Sequence, residues 1–515
     1  RQIRCTPQST TLQSKFQLIV DHDMTTPSAW RPRSLYTCTF FWISAVGGRF
    51  LVVFLEHQGR LTPTELGSIL ALAQVVTVVA SFVTGSYADL LETYYPHRGR
   101  ASIFALGILV GSVVFGGHAL TVPGIPPVLW HGALRLIMAI ATAMIFPVMD
   151  GMCLEYLAES SSTQDYGKER LYGAVSWGVA NMIAAVGLEY VGFSILYVMT
   201  LVSTILTLIV LWMYTKSQDT RRSYEKRDSN IMVDSNDDED DDDNVEAINN
   251  QKALPSKRSN TSQSELSSSI SSTFHILRSL CVYGFGTCFA ISQITQSSGQ
   301  AIVDNLIFLY FEQLQSSYLL MGWTVVLTVA FEIPLFQIAP ILLKAGGDGI
   351  LIPIAAVSYV VRVYGYSIIP EGHVAYVLCL EPLHGVTYAC MAMASVELIS
   401  SLTPTGYAAS GQSALQVLVG TGSVLGLFLG GYLQDELGPR LMYRISGMVV
   451  AMGCTLFVLA LWKCPPPLTA AVNTPTQPTG TSTTKRQDHP SDDTTDNSDA
   501  VELVQLVQKN SDGLL

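Results

Sequence analysis

The sequence predicts an all-helical membrane protein with twelve transmembrane helices in two halves of six. First, 49% of its 515 residues are apolar and only 14% are charged, which is too apolar a composition for a soluble protein. Second, apolar segments of about 20 residues recur, which is the length of a helix that crosses a bilayer, and they lack the alternation of barrel strands. Third, a polar, acidic stretch divides these segments into two groups of six, an arrangement typical of transporters.

The spans are numbered from first to twelfth in chain order throughout. We expect them at residues 34–56, 65–89, 101–120, 128–150, 170–189, 193–214, 278–311, 319–342, 349–369, 373–399, 406–433 and 440–462. The predicted domains are an N-terminal segment 1–33, two six-helix bundles 34–214 and 278–463, a disordered linker 215–277 and a disordered tail 464–515.

The net charge of −12 comes mostly from the linker, at 234–246, and from the tail. Blocks of like charge repel one another and remain disordered. The acidity therefore keeps flexible segments in solution, and nucleic acid binding is not expected.

Basic residues are concentrated on one side of the predicted membrane. They lie at 98–100, 168–170, in the linker and at Lys344, whereas the loops 121–127, 190–192 and 370–373 have none; Arg60 and Arg440 are exceptions. The positive-inside rule then places both termini and the linker in the cytosol. We expect a monomeric, integral multi-pass protein of the plasma membrane or an endomembrane.

Two Gly/Ala-rich segments, 173–193 and 420–438, occupy the fifth position of their halves. Small residues let helix backbones approach closely and slide, as rocking bundles require. Ordinary close packing without motion is the alternative.

Residues 85–100 read GSYADLLETYYPHRGR. Gly85 allows close helix contact, and Asp89 either caps a helix end or pairs with Arg98 or Arg100 across a gate. The alternative is a charged turn between two spans. With expanded spacing, the segment resembles the loop between helices two and three of the major facilitator superfamily.

A second pattern consists of Pro147 and Asp150, then YGKERLYG at 166–173, then Trp177-Gly178. It resembles the segment joining helices four and five in the branch of that superfamily containing major facilitator superfamily domain-containing protein 6, which is related to lactose permease and nucleoside–proton symporters. The second half continues the resemblance at Glu332, Arg362, Glu381, His384, Pro404, Gln412 and Gly431. The resemblance covers most of 34–462 and implies a twelve-helix fold and transport by alternating access, but it names no substrate.

Charged residues inside the spans are candidate functional groups, because a charge at mid-bilayer costs several kcal/mol unless it is paired or hydrated. Glu332 in the eighth span would take up a proton more readily in a low-dielectric cavity, as a proton-coupling carboxylate must. Arg362 in the ninth span can neutralise Glu332 or hold a substrate. The alternative is a permanent Glu332–Arg362 pair that fastens these two spans.

Glu381, His384 and Tyr388 recur at positions i, i+3 and i+7, and therefore share one face of the tenth span. A carboxylate beside a histidine can relay protons, and Tyr388 is a candidate substrate ligand. Hydrogen bonding of His384 within a packed bundle is the alternative.

Further candidate substrate ligands are Gln412 and Gln416, an i, i+4 pair suited to hydroxyl and amide groups; hydrogen bonding between helices is their alternative role. Arg49 and Asp304, which lie within spans, are also candidate substrate ligands. Arg49 follows Gly47-Gly48 in the first span and either meets an acidic substrate or pairs with Asp304 across the halves. Arg135 also lies within a span and receives no assigned role.

Asp150 and Arg170 lie near the cytosolic ends of the fourth and fifth spans and are close enough in sequence to pair. We expect them to act as gate or fold elements.

These observations favour a secondary active transporter that moves a sugar, nucleoside or organic acid with protons. A proton-independent facilitator or exporter remains open, as does a membrane receptor or scaffold that recruits partners through its acidic segments. No enzyme motif, metal-ligand spacing or cofactor motif is apparent.

Overall fold

The protein is described by a computed structural model that covers residues 31–95, 98–159, 166–234, 273–280, 282, 284–403 and 408–463. Every regular element in this part of the chain is helical. Eleven helices are long and apolar enough to cross a membrane, and the bent pair Thr273–Leu280 and Gly284–Gln313 brings the total to twelve if it forms one span. The predicted all-helical, two-half architecture is confirmed.

The helices follow the predicted spans closely. The first half contains Pro32–Gly47 with Leu51–Gly59, then Pro63–Tyr94, Gly99–Gly117, Pro127–Ala143 with Phe146–Glu159, Tyr166–Val191 and Ser194–Asp234. The second half contains Thr273–Leu280 with Gly284–Gln313, then Tyr318–Gln337, Ala339–Ser367, the 3₁₀ turn Val374–Cys379 with Pro382–Leu402, Ala408–Leu437 and Pro439–Lys463.

Local sequence signals set several helix ends. Thr62 and Glu65 form a capping box at the start of the second span, with Pro63 in its first turn. Gly192 and Gly438 end the fifth and eleventh spans with positive φ angles of 75° and 79°. Because these two spans hold the same position in their halves, the two left-handed glycines support the internal repeat.

Glycines of the eleventh span allow close packing on two neighbours. Added Cβ atoms at Gly422 and Gly426 would meet the backbone of the seventh span, while one at Gly431 would lie 2.9 Å from the Cα of Gly67 in the second span. The close backbone approach expected for segment 420–438 is therefore present.

The two halves meet through matched pairs of spans. The second span packs on the eleventh, the fifth on the eighth, and Leu51–Gly59 of the first on the seventh. At one end of the bundle, which we call the closed end, side chains also cross between the halves. These contacts are His57–Glu312 at 2.5 Å, Thr64–Asp435 at 2.7 Å and the Tyr318 amide to Glu189 at 3.0 Å.

The predicted linker differs from the structure at both ends. The helix Ser194–Asp234 continues well beyond residue 215, because its sequence contains no Gly or Pro that would break it. The helix Thr273–Leu280 likewise begins before residue 278. Residues 235–272, like 1–30 and 464–515, lie outside the described part of the chain.

Candidate functional site

A cavity of about 400 Å³ lies between the two halves. It is bordered by the second and fourth spans of the first half and by the seventh, tenth and eleventh spans of the second. Its polar border is rich in side-chain amides and consists of Gln74, Thr77, Arg135, Gln293, Gln296, Ser297, Gln300, Asp304, Asn305, Thr387, Tyr388, Ser395, Gln416 and Ser423. Amides both donate and accept hydrogen bonds, so this border suits a small polar solute.

A break in the first span places Arg49 at the interface between the halves. The helix stops at Gly47 and resumes at Leu51, so Arg49 lies in the interruption. Its guanidinium donates to the Asp304 carboxylate at 2.8 Å and to the backbone oxygens of Val303 and Asp304 at 3.4 and 3.3 Å. The proposed pairing of Arg49 with Asp304 across the halves is thus present in the structure.

Gln300 continues this polar network into the second half. Its amide nitrogen lies 3.0 Å from each carboxylate oxygen of Asp304 and 3.5 Å from Nδ1 of His384. Asp304 is therefore held from two sides, by the first span and by its own helix one turn earlier.

Arg362 is the centre of a buried cluster in the second half. It is 1% exposed and pairs with Glu381 at 3.4 Å. Tyr366 donates to Glu381 at 2.7 Å and accepts from Nε of Arg362, and Thr328 donates to Glu381 at 3.0 Å. The alternative that Arg362 pairs permanently with Glu332 is wrong, because Glu381, at the start of Pro382–Leu402, takes that position.

Arg362 also separates Glu381 from His384. Its Nη1 lies 2.6 Å from Nδ1 of His384, and a guanidinium can only donate, so this ring nitrogen must accept. The imidazole is then neutral with its proton on Nε2. The expected direct relay from Glu381 to His384 is not formed, because the guanidinium occupies the space between them.

Glu332 contrasts with these paired groups. No described residue makes a hydrogen bond or ion pair with its carboxyl, although its charge interacts with those of Asp304 and Arg49. The phenol of Tyr388 also lies within electrostatic range. Gly385 lets the tenth span approach this point, since a Cβ there would lie 2.9 Å from the Glu332 amide. Glu332 is thus a carboxyl beside the interface that no described hydrogen bond or ion pair holds.

The other predicted substrate ligands divide between two environments. Tyr388 and Gln416 border the cavity, and the Tyr388 ring stacks on His384 with centroids 6.3 Å apart. Gln412 instead donates to Ser400 at 3.3 Å, which is the inter-helical hydrogen bond given above as its alternative role.

Asp150 and Arg170 do not form the expected direct pair. Tyr36 donates to Asp150 at 2.6 Å, and Arg170 reaches the Tyr166 hydroxyl at 3.3 Å. Asp150 and Arg170 therefore form hydrogen bonds with the hydroxyl groups of Tyr36 and Tyr166 and not with each other.

The basic residues of the 85–100 segment pair with acidic residues of other helices. Arg98 lies 3.7 Å from Asp219, and Arg100 lies 2.9 Å from Glu155. Gly85 and Asp89 fall within Pro63–Tyr94, but their surroundings lie outside the described part of the chain.

Most polar residues of the cavity border, Gln296 and Gln300 among them, were not predicted from the sequence, and Arg135 had no assigned role. Gln296 and Gln300 border the cavity, and they follow Gln293 at i, i+3 and i+7, a spacing that places all three on one face of the seventh span. This spacing could have identified Gln296 and Gln300 as candidate site residues from the sequence. Arg135 also borders the cavity, and its position was visible only as a charge within a span.

The family model described as "MFS_1 like family" matches residues 33–445, which is most of the chain. The fold and this match define a member of the major facilitator superfamily. The chain belongs to the MFS_1 like family, which confirms the resemblance seen in the motifs.

Solved structures share this fold at low identity. The nucleoside transporter NupG is 12% identical with a TM-score of 0.59, over 84% of this chain and 98% of that one. A POT family transporter in complex with a thioalcohol-conjugated peptide is 14% identical with a TM-score of 0.56, over 84% and 96%. A D-xylose-proton symporter is 14% identical with a TM-score of 0.52, over 84% and 97%.

Proposed function

We propose that this protein is a secondary transporter that moves a small polar solute by alternating access and couples the movement to protons. The observation that carries the proposal is Glu332, a carboxyl within a span that pairs with no described residue and lies beside the ion pair that joins the halves. The fold shared with a nucleoside transporter and a D-xylose-proton symporter agrees with it.

Alternating access requires a cavity that is sealed at one end at a time. The cavity lies between the halves, and the contacts of His57, Thr64 and Tyr318 hold the closed end together. Such polar contacts can break and re-form as the halves rock. If the basic loops are cytosolic, the closed end faces away from the cytosol, as it does in an inward-facing state.

The electrostatics around Arg49 link protonation to this motion. Arg49 belongs to the first half and Asp304 to the second, and Glu332 interacts with both charges. Ionised Glu332 repels Asp304 and competes for Arg49, whereas protonated Glu332 leaves the Arg49–Asp304 pair undisturbed. The proton on Glu332 therefore stabilises the contact between halves that is seen here, and its release favours the opposite state.

Replacement of Glu332 by glutamine tests the coupling. Vesicles that carry the protein are given a pooled panel of labelled sugars, nucleosides and organic acids, with and without an inward proton gradient. We expect the wild type to accumulate its solute, and E332Q to equilibrate the solute without accumulating it, because the amide cannot exchange a proton. E332Q uptake should also be independent of pH.

The matched control is E397Q, which removes an exposed carboxyl from the tenth span and should accumulate solute as the wild type does. Accumulation by E332Q equal to that of the wild type would refute the proposed role of Glu332.

A further inference from the structure

Arg135 is a cation on the cavity border, and no anion in the described part of the chain pairs with its guanidinium. No hydrogen bond or ion pair joins its guanidinium to a described residue, and its Nε is buried without a partner. The acidic residue on the described border is Asp304, and Arg49 and Gln300 already bind its carboxylate. Arg135 is therefore available to a ligand.

Gln296 offers a second, independent indication of a ligand site. The residue is 4% exposed and borders the cavity, yet neither its amide nitrogen nor its amide oxygen has a hydrogen-bond partner. The amide oxygen of Gln300 is also unpartnered. Buried polar groups are almost always hydrogen-bonded, so unpartnered ones at the border of a cavity indicate a ligand that completes them.

The charges near the cavity give the sign of that ligand. Among the described residues, three cations and three anions lie in this region, namely Arg49, Arg135, Arg362, Asp304, Glu332 and Glu381. Arg170 also interacts with Tyr388 on the cavity border, and the charge of Asp150 offsets it. The ion pairs Arg49–Asp304 and Arg362–Glu381 account for four of these six groups. Arg135 and Glu332 form no ion pair with a described residue. When Glu332 takes up a proton, one positive charge remains in a region of low dielectric, where an uncompensated charge is unfavourable.

We propose that the transported solute is a monoanion whose charge is bound by Arg135, and that Gln296 and Gln300 bind hydroxyl or amide groups on its body. The inference rests on the function proposed above for this cavity. A guanidinium binds carboxylate and phosphate oxygens with the same two parallel N–H donors. The charged group of the solute can therefore be either a carboxylate or a phosphate. One proton on Glu332 together with one monoanion restores neutrality, and the paired movement carries no net charge.

Binding in detergent micelles tests this inference without requiring transport. The full chain is purified, and its thermal unfolding midpoint is measured with matched neutral and monoanionic solutes: glucose against glucuronate, uridine against orotidine and uridine 3′,5′-cyclic monophosphate, and lactamide against lactate. We expect an anionic member to raise the midpoint and its neutral counterpart to leave it unchanged, because bound ligand stabilises the folded state. Comparison of orotidine with uridine 3′,5′-cyclic monophosphate distinguishes a carboxylate from a phosphate at the same charge.

Variants assign the effect to Arg135. R135Q should weaken binding of the anion on the order of 100-fold, and R135K less, because lysine keeps the charge but loses the two parallel donors. R60Q, which removes an exposed arginine outside the cavity, should bind as the wild type does. Should R135Q fold poorly, Q296A supplies the second variant: loss of an unpartnered amide should leave the midpoint without solute unchanged, while the affinity falls about tenfold.

Tighter binding of a neutral member, equal anion affinity in R135Q and wild type, or no anion-specific shift across the panel would each overturn the inference. The outcomes separate it from the proposed function. Anion binding that depends on Arg135 without proton-driven uptake would contradict coupled transport alone, whereas proton-driven uptake of a neutral solute by R135Q would contradict the anion site alone.

Discussion

Arg49 and Asp304 form the ion pair that joins the two halves beside the cavity. Their side chains are 13% and 35% exposed, so neither is fully removed from solvent. The backbone oxygens of the seventh span and Gln300 add hydrogen bonds to the same groups. The pair is thus better supported than a surface ion pair, although less buried than Arg362–Glu381.

A double-mutant cycle on this pair tests its strength. We expect R49Q and D304N each to lower the free energy of unfolding by about 1–3 kcal/mol, below the 3–5 kcal/mol of fully buried pairs because Asp304 is partly exposed. The double variant should lose less than the sum, with a coupling energy of about 1–2 kcal/mol. The measurement is denaturant unfolding in detergent.

The control cycle is R98Q with D219N, a more exposed pair at 3.7 Å. Its coupling energy should be near zero. An Arg49–Asp304 coupling no larger than this control would mean that the pair does not hold the halves together.

Individual residues show how far the sequence can predict a site. The charges within spans were identifiable from the cost of placing them in a membrane, and the Arg49–Asp304 pairing was one stated alternative. Arg362 was assigned to the wrong carboxylate, because spacing along a helix does not determine which neighbouring helix a side chain faces. The availability of Arg135 depends on what surrounds it, and only the fold contains that information.

The contact between the second and eleventh spans depends on two glycines. Gly67 and Gly431 face one another with no side chain between them, close to the Thr64–Asp435 hydrogen bond at the closed end. This contact can separate and re-form without the rearrangement of large side chains. It is therefore a helix contact at which a gate can open and close.

The substitution Gly431→Val should separate the second and eleventh spans at this contact. The valine side chain has no space against the backbone of the second span, so the population should shift toward a state in which the closed end is open. With Ser297→Cys as a reporter at the cavity border, a membrane-impermeant maleimide added at the closed end should react several-fold faster than in the Gly431 parent. Chains without the reporter give the background from native cysteines.

Gly420→Ala is the matched control for the same helix. Its Cβ would meet only Val78, at 3.8 Å, so the reporter should react at the parental rate. Equal rates in G431V and G420A would show that the glycine contact does not control the closed end.

Helices were easier to predict than their interruptions. Hydropathy located every span, because burial in lipid requires long apolar segments whatever the fold. The helices Phe146–Glu159, Ser194–Asp234 and Ala339–Ser367 nevertheless extend well beyond the predicted ends at 150, 214 and 349. The break at 48–50 in the first span was not predicted, although Gly47-Gly48 was noted. At this break the Leu51 amide donates to the Gly48 oxygen at 3.1 Å, and the Arg49 side chain binds Asp304 and the Val303 oxygen of the seventh span.

At the scale of the whole molecule, the described part of the chain consists of two similar six-helix halves around a polar cavity. The sequence predicted the halves from the acidic linker and the Gly-rich segments, and Gly192 and Gly438 support that repeat in the structure. The second span packs on the eleventh and the fifth on the eighth. Hydropathy could not predict these pairings, because an apolar face can pack against any other apolar face. These pairings create the cavity and seal one end of it.

Proton-driven uptake into vesicles is the most direct test of coupled transport by this fold. The wild-type protein is offered the pooled sugars, nucleosides and organic acids with an inward proton gradient, and then with the gradient dissipated by a protonophore. The account predicts that a solute accumulates above its external concentration and that the accumulation collapses with the gradient. Equilibration that ignores the gradient, or no uptake by folded protein, would contradict it.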